Sequence, residues 1–179
     1  MPDRMDRRFL LRAIPLALAI PAAARAQTLQ DLQASRKALI GVWEKTPLTI
    51  QRALFVTEKA AGYGVYDARN SIVFKPGEPM IAYVEPVGYG WKEVSPGLYE
   101  FGFDVDFAIK SKDGNTVLGE KKDFGHLVFR SHARNLECQT SLTLTVNGAP
   151  PADYLLIYTL RDVTGPRMAQ FTMPFTIAA

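Results

Sequence analysis

The chain has 179 residues, a formal net charge of +3 and one cysteine. Residues 1–26 hold five arginines and two aspartates and so carry the whole net charge. The balanced remainder therefore offers no electrostatic footprint for nucleic acid or an anionic membrane. The single Cys138 excludes an internal disulfide, and the 47% hydrophobic content argues against a disordered chain. Residues 27–179 suit one domain that is large enough to build its own core.

The first 26 residues have the order of parts found in a bacterial export signal. Arginines cluster in the first 12 positions, a short apolar stretch follows over residues 14–20, and Ala24-Arg25-Ala26 has the small-x-small form that signal peptidases accept. The apolar stretch is shorter than the roughly 20 residues that a membrane-spanning helix needs. We therefore expect cleavage before Gln27 and a periplasmic or secreted bacterial protein.

The arginine pair allows a finer prediction. Arg7-Arg8-Phe9-Leu10-Leu11-Arg12 resembles the twin-arginine export signal, in which two arginines, any residue and two hydrophobic residues are often followed by a basic one. The resemblance implies export of an already folded protein. The general secretory route stays open as the alternative, because Asp6 stands where Ser or Thr is usual. No downstream motif matches a cofactor, so no cofactor is predicted.

After the signal, the pattern predicts a helix rather than a loose tail. Thr28 can cap the helix N-terminus together with Asp31 three residues on, and the apolar residues up to Trp43 fall on one face. A Thr-Pro pair then ends the segment. Residues 27–47 are thus predicted as a helix and linker, and residues 48–179 as a β-sandwich domain.

In the β domain the hydrophobic period changes to two. The strongest example alternates apolar and polar residues from Tyr99 to Lys110, which predicts a long strand with one face in the core. Lys112–Asn115 predicts a hairpin turn after it. Pro174 cannot donate a ladder hydrogen bond, which predicts that the last strand lies at an edge. The predicted strands lie near residues 49–58, 71–74, 80–84, 99–110, 116–118, 142–146, 154–160 and 171–177.

Three segments of this domain resemble bacterial Ig-like β-sandwich modules. Phe74–Pro79 is a Pro-Gly turn entering a strand, Asp153–Asp162 is a Tyr-bearing strand that ends in Asp, and Pro174–Ile177 closes with Phe-x-Ile. The resemblance spans roughly residues 70–179 and implies no catalytic residue. The spacing of the strands and this resemblance together predict a mainly β fold. It is an antiparallel Ig-like β-sandwich of about eight or nine strands, preceded by one short N-terminal helix.

Three carboxylates are predicted on the outer face of the long strand. Glu100, Asp104 and Asp106 share one phase of its alternation, and such residues are normally solvated and discourage edge pairing. They could instead hold calcium with help from backbone carbonyls. Same-face neighbours on a strand lie about 6.5–7 Å apart, a separation that also permits a general acid and base as in glycosidases.

A Gly-Tyr-Gly triplet occurs twice, at Gly62–Gly64 and Gly88–Gly90. Glycine frees the backbone to bend, so that the central ring can lie flat on a surface and stack on a sugar, an apolar ligand or a partner protein. In the alternative, the tyrosines simply cover the ends of the core. The predicted ligand-binding residues are Tyr63, Tyr66, Tyr89 and Trp91.

No nucleophile, dinucleotide or phosphate-loop motif is found in the sequence. The first hypothesis is therefore an exported, non-enzymatic β-sandwich protein that binds a partner protein or small ligand in the periplasm, with no nucleic-acid partner and no membrane span in the mature chain. The second is a small hydrolase or calcium-binding protein that uses Glu100, Asp104 and Asp106. The third is a purely structural subunit, which an exposed apolar patch would favour.

Export can be tested at the arginine pair. Changing Arg7 and Arg8 to Lys keeps the positive charge but removes the paired arginines. We expect the precursor of this double variant to accumulate in the cytoplasm, measured by cell fractionation and immunoblotting. Normal export of the variant would indicate the general secretory route instead.

Overall fold

The computed structural model describes residues 27–179. The predicted export signal, residues 1–26, lies outside the described residues and stays a prediction. The described part contains one helix and nine strands, and none of it forms a helix long and apolar enough to cross a membrane. The elements are α1 (Leu29–Trp43), β1 (Thr49–Val56), β2 (Val73–Phe74), β3 (Pro79–Val87), β4 (Lys92–Ser95), β5 (Leu98–Ser111), β6 (Val117–Ser131), β7 (Thr140–Thr145), β8 (Ala152–Asp162) and β9 (Met168–Ile177).

Helix α1 begins with the predicted cap. Thr28 Oγ1 accepts a hydrogen bond from the Asp31 backbone N–H at 3.2 Å, and the Thr28 N–H donates to the Asp31 carboxylate at 2.8 Å, so both partners of a capping box are present. At 15 residues the helix is about 22 Å long. None of its residues is buried, which sets α1 apart from the β body that follows it.

The strands form a small and a large sheet. The small sheet has the order β1-β3-β7 and is antiparallel. The large sheet has the order β2-β9-β8-β5-β4, with β6 on the other side of β5, and its only parallel pair among the described strands is β2 with β9. The prediction of a mainly β fold with one helix is confirmed. The finer prediction of an Ig-like sandwich is not, because the large sheet curls into a half-barrel around the small one.

The core lies between the two sheets and is rich in aromatic rings. The alternation predicted for β5 is confirmed, since Phe101, Phe103 and Val105 are at most 4% exposed on its inner face. Facing them, the small sheet contributes aliphatic residues such as Val84 and Leu142. Aromatic and aliphatic residues at alternate positions bury one face of each strand, and this burial is the main stabilising contribution to the fold.

Strand β6 is much longer than the sequence predicted. A wide bulge interrupts its pairing with β5: Val105 pairs with Gly125 and Phe107 with Lys121, so residues 122–124 all lie opposite Asp106. Within this bulge Asp123 has a positive φ of 51°. The bulge adds two residues, so odd-numbered positions of β6 face the core on both sides of it, but the regular alternation is interrupted between them.

Two strands of the large sheet have open edges. Strand β9 pairs with β8 along its length but with β2 only at Thr176 and Ile177, so Pro174 lies where the edge is open, as predicted. On the opposite side, β6 pairs only with β5 among the described strands. Its outer edge is broken by the bulge at Asp123 and carries Lys121 and Lys122.

One glycine is required by the close approach of β5 and β6. A Cβ at Gly102 would lie 2.0 Å from the Leu127 carbonyl oxygen, an impossible contact with rigid backbone. By contrast, a Cβ at Gly119 on β6 would meet nothing within 4 Å. The two positions therefore form a matched pair for testing the packing of this strand pair.

Gly102→Ala should lower the free energy of unfolding by about 2 kcal/mol or more, because the added methyl group forces the two strands apart. Gly119→Ala should change it by no more than about 0.5 kcal/mol, as for most surface substitutions. Urea unfolding followed by circular dichroism measures both. Equal midpoints for the two variants would contradict the described pairing.

Candidate functional site

The three predicted carboxylates lie on the outer face of the large sheet, and each contacts an arginine or histidine side chain of a neighbouring strand. Glu100 accepts from Arg130 Nε at 3.0 Å, and Asp104 Oδ1 lies 2.6 Å from His126 Nδ1. Asp106 forms an ion pair with Arg161. Within residues 27–179 no group of three or more His, Cys, Asp or Glu side chains is placed to hold a metal ion. Each of the three carboxylates is thus paired with a different side chain, and the structure does not bring the three together in one site.

The central tyrosines of the two Gly-Tyr-Gly triplets differ in how deeply they are buried. Tyr89 is 0% exposed, packs on Phe101 with ring centroids 5.3 Å apart, and donates from its hydroxyl to the Asn135 carbonyl at 2.9 Å. Burial raises the pKa of Tyr89. The prediction that Tyr89 is part of an exposed binding loop is therefore wrong, because its ring is core. Tyr63, in contrast, is only partly buried.

Tyr89 and Trp91 hold the C-terminal end of α1 against the β body. The Trp43 indole N–H donates to the Tyr89 carbonyl at 2.8 Å, and the Trp43 ring lies 5.1 Å from Tyr89 and 5.8 Å from Trp91. The next residue, Glu44, pairs with Arg134 at 2.8 Å. Trp91, which is partly buried, contacts the helix here, and its predicted role in ligand binding stays a prediction.

Tyr63 and Tyr66 belong to the segment that covers the outer face of the small sheet. The Tyr66 ring lies 4.3 Å from the ring of Tyr83 on β3. The Gly64 backbone N–H donates to the Tyr83 hydroxyl at 2.7 Å, and that hydroxyl donates to Glu85 at 2.7 Å. The structure therefore places Tyr66 on the outer face of the small sheet and Tyr89 in the core, with Tyr63 near enough to act on the pKa of Tyr89.

An apolar groove runs along α1. It has a volume of about 810 Å³ and lies between the helix and the segment before β7. The helix wall is apolar and open to solvent, with Leu29 70%, Leu32 66% and Leu39 52% exposed. The opposite wall includes Leu136. This groove, defined by α1 and residues 135–137, is called the α1 groove below.

The α1 groove also carries one charge of each sign. Arg36 lies on the helix wall and Glu137 on the opposite wall. Both are exposed, and neither forms an ion pair with another described residue. A surface that combines exposed leucines with an available cation and anion can dock a protein surface of the same composition.

Sequence reasoning found the helix but missed the groove. The apolar face of α1 was visible from its spacing, yet such a face normally packs on its own domain. The structure shows that the β body closes its core without α1. A sequence signal was present in Leu29, Leu32 and Leu39, but nothing in the spacing indicates that these side chains stay uncovered.

Comparison with known proteins gives little that can be transferred. No family model matches the chain, and no curated protein matches it. Among solved structures, the chain resembles a Pseudomonas fluorescens alkylpurine DNA glycosylase, AlkC, bound to DNA containing an abasic site analog. The identity is 12% and the TM-score is 0.40, and the match covers 86% of this chain but 40% of that chain. A likeness at this level carries no argument about function.

This neighbour is an enzyme bound to DNA, which stands against the predictions of a non-enzymatic exported binding protein and of no nucleic-acid partner. A net charge of zero over residues 27–179 is an average over the surface. Balanced totals do not exclude a local cluster of basic side chains, and missing motifs do not exclude catalysis by scattered residues.

The different roles of the tyrosines can be measured. Tyr89→Ala should lower the free energy of unfolding by about 3–5 kcal/mol, because it removes a buried ring from the core and from the contact with α1. Tyr63→Ala should cost about 1 kcal/mol, as a typical single substitution does. Thermal and urea unfolding compare the two. A Tyr89→Ala variant as stable as Tyr63→Ala would contradict the core position of Tyr89.

Proposed function

We propose that residues 27–179 form an exported subunit that assembles with a second copy of itself through the α1 groove. The observation that carries this proposal is the uncovered apolar face of α1, a 15-residue helix with no buried residue. Export rests separately on the signal pattern of residues 1–26.

Leaving this face in water is unfavourable for an isolated domain. Burying a leucine side chain fully contributes about 1.5–3 kcal/mol relative to leaving it exposed. Monomeric soluble proteins rarely expose large contiguous apolar patches, and such patches mark interaction surfaces. The anchored end, where Trp43 is fixed to Tyr89, keeps the helix in place without covering its leucines. The free energy of burying these leucines is therefore available to a contact with another molecule.

A second copy fits the spacing of the helix. Leu29, Leu32 and Leu39 occur at intervals of three and seven residues, which place side chains at the a and d positions of paired helices. Trp43 continues this spacing but packs on Tyr89 and Trp91 of its own copy. Arg36 occupies the remaining a position near the middle of the helix, where a polar residue typically fixes register. The same residues on a second copy supply a matching surface.

The charges of the groove are also self-complementary. In a twofold pair, each residue of one copy that contacts a residue of the other is repeated in reverse. Arg36 of one copy can thus face Glu137 of the other, and the reciprocal pair forms at the same time. One surface supplies both signs of charge, so a different partner is not needed to neutralise it.

The size of the surface predicts a weak pair. The helix is about 22 Å long and about 10 Å wide, less than the roughly 800 Å² per partner of a standard interface. Leu136 and its neighbours on the second wall must therefore contribute to the contact. We expect association in the micromolar range, so the measurement has to extend to high protein concentration.

The first test replaces the apolar face. Leu32→Glu combined with Leu39→Glu places two charges where the helices would meet, and the variant should sediment as a monomer at every concentration. The matched control, Gln30→Glu with Ala34→Glu, adds the same charge to the opposite side of α1 and should dimerise like the wild type. Sedimentation equilibrium measures both. A wild type that remains monomeric up to millimolar concentration would refute the proposal.

The second test reverses the charges. Arg36→Glu and Glu137→Arg should each weaken the dimer, because like charges then face one another across the interface. The double variant should recover most of the lost affinity, since the pair is restored with opposite polarity. Unchanged dimerisation in both single variants would remove this pair from the interface.

A further inference from the structure

A second group of residues, on the outer face of the small sheet, is distinct from the α1 groove. Arg52 on β1 pairs with Glu85 on β3, and extending the β3–β7 register by one residue beyond Val84 and Thr140 places Gln139 beside Glu85. These side chains form a row across the small sheet. With Tyr63, Tyr66 and Tyr83 they are called the Glu85 cluster.

The Glu85 cluster has more hydrogen-bond acceptors than donors. Glu85 is only 3% exposed, and its one hydrogen bond from a side chain comes from the Tyr83 hydroxyl at 2.7 Å. Its second oxygen lies 3.4 Å from Arg52 Nε, which is long for a charge-assisted bond. The Gln139 side-chain oxygen is buried and has no hydrogen-bond partner among the described residues. Buried acceptors without donors are costly and uncommon in proteins.

Aromatic rings surround these acceptors. Tyr66 packs on Tyr83 at 4.3 Å, with the planes inclined by 35°. The pKa of Tyr63 is raised by burial and by the negative charges of Glu85 and Glu137, which places its ring in the field of the same carboxylate. Burial and the hydrogen bond to Glu85 raise the pKa of Tyr83 to about 12, so its hydroxyl stays protonated and donating.

Arg52 partly occupies this position from the outside. Its side chain is 52% exposed, whereas the carboxylate that it faces is 4% exposed. The contact is therefore made by a half-exposed arginine that lies 3.4 Å from a buried carboxylate, and Tyr66 and Glu85 both raise the pKa of this arginine. A half-exposed side chain can move away without exposing apolar surface of its own.

We propose that the Glu85 cluster is a binding site for an alkylguanidinium cation, with Arg52 as the internal group that the ligand displaces. A guanidinium is planar and carries five N–H donors in a fixed fork, which matches the free acceptors of Glu85 and Gln139. Its flat face stacks on tyrosine rings such as Tyr63 and Tyr66. No metal-binding group of three or more His, Cys, Asp or Glu side chains occurs among residues 27–179, which favours an organic cation.

The chemistry of the site does not distinguish a free small molecule from an arginine side chain presented by a peptide. Both offer the same guanidinium. A free ligand would contact the Glu85 cluster alone, whereas a peptide would also contact the exposed surface around Arg52. Two probes separate these sources: n-propylguanidinium, which reproduces an arginine side chain, and the blocked tripeptide Ala-Arg-Ala.

The test compares the wild-type chain with Arg52→Ala. Removing the internal competitor should raise the affinity for n-propylguanidinium at least tenfold, measured by isothermal titration calorimetry. Adding Glu85→Gln to that variant should abolish the gain, because the anion is lost. The matched control is Arg130→Ala, which removes another exposed arginine from a strand carboxylate, Glu100, and should not gain affinity.

The second probe shows whether the guanidinium belongs to a peptide or to a free small molecule. Binding of Ala-Arg-Ala to Arg52→Ala indicates a peptide ligand, and binding of n-propylguanidinium alone indicates a free small molecule; either result supports the site. Equal affinity of Arg52→Ala and Arg130→Ala for both probes would overturn it. If Arg52→Ala does not fold, Arg52→Gln takes its place, and a Glu85→Gln chain that binds the probe as tightly as wild type overturns the proposal directly.

Discussion

The packing of Tyr89 is the interaction on which the arrangement of this molecule depends. Its ring joins the aromatic core through Phe101 and Phe103, while its backbone carbonyl receives the indole N–H of Trp43. The hydroxyl binds Asn135, on the segment that forms the second wall of the α1 groove. A single residue thus ties the β body, the helix and the groove wall together. The helix can remain otherwise uncovered because this one end is held by buried contacts.

Local patterns predicted the local structure well. The alternation from Tyr99 to Lys110 predicted β5, because strand geometry places alternate side chains on opposite faces, and the Thr28 cap predicted the start of α1. The features that failed depend on residues far apart in sequence. The two Gly-Tyr-Gly triplets show that the backbone can bend but not which ring points into the core. Only the start of β6, near residues 116–118, was predicted, because the bulge at Asp123 interrupts the alternation on which the prediction relied.

The candidate sites illustrate the same limit. That Glu100, Asp104 and Asp106 lie on an outer face follows from their phase, but their partners on β6 and β8 are set by strand register. Glu85 sits in an apolar run of β3, and the sequence gives no sign that its carboxylate is buried beside Tyr83. The segment before β7 links the two proposed surfaces, since Glu137 borders the α1 groove and its charge acts on Tyr63.

The bulge in β6 has a consequence for how copies of this chain can associate. An open strand edge is a template for adding further strands, and sheet growth by that route has no natural end. Here the displaced backbone at Asp123 and the lysines beside it interrupt the edge, so a neighbouring strand cannot continue the ladder. A helix contact related by a twofold axis is complete once two copies have met, because each uses the same surface. The β6 edge is thus interrupted, whereas the proposed helix contact would be complete once two copies have met.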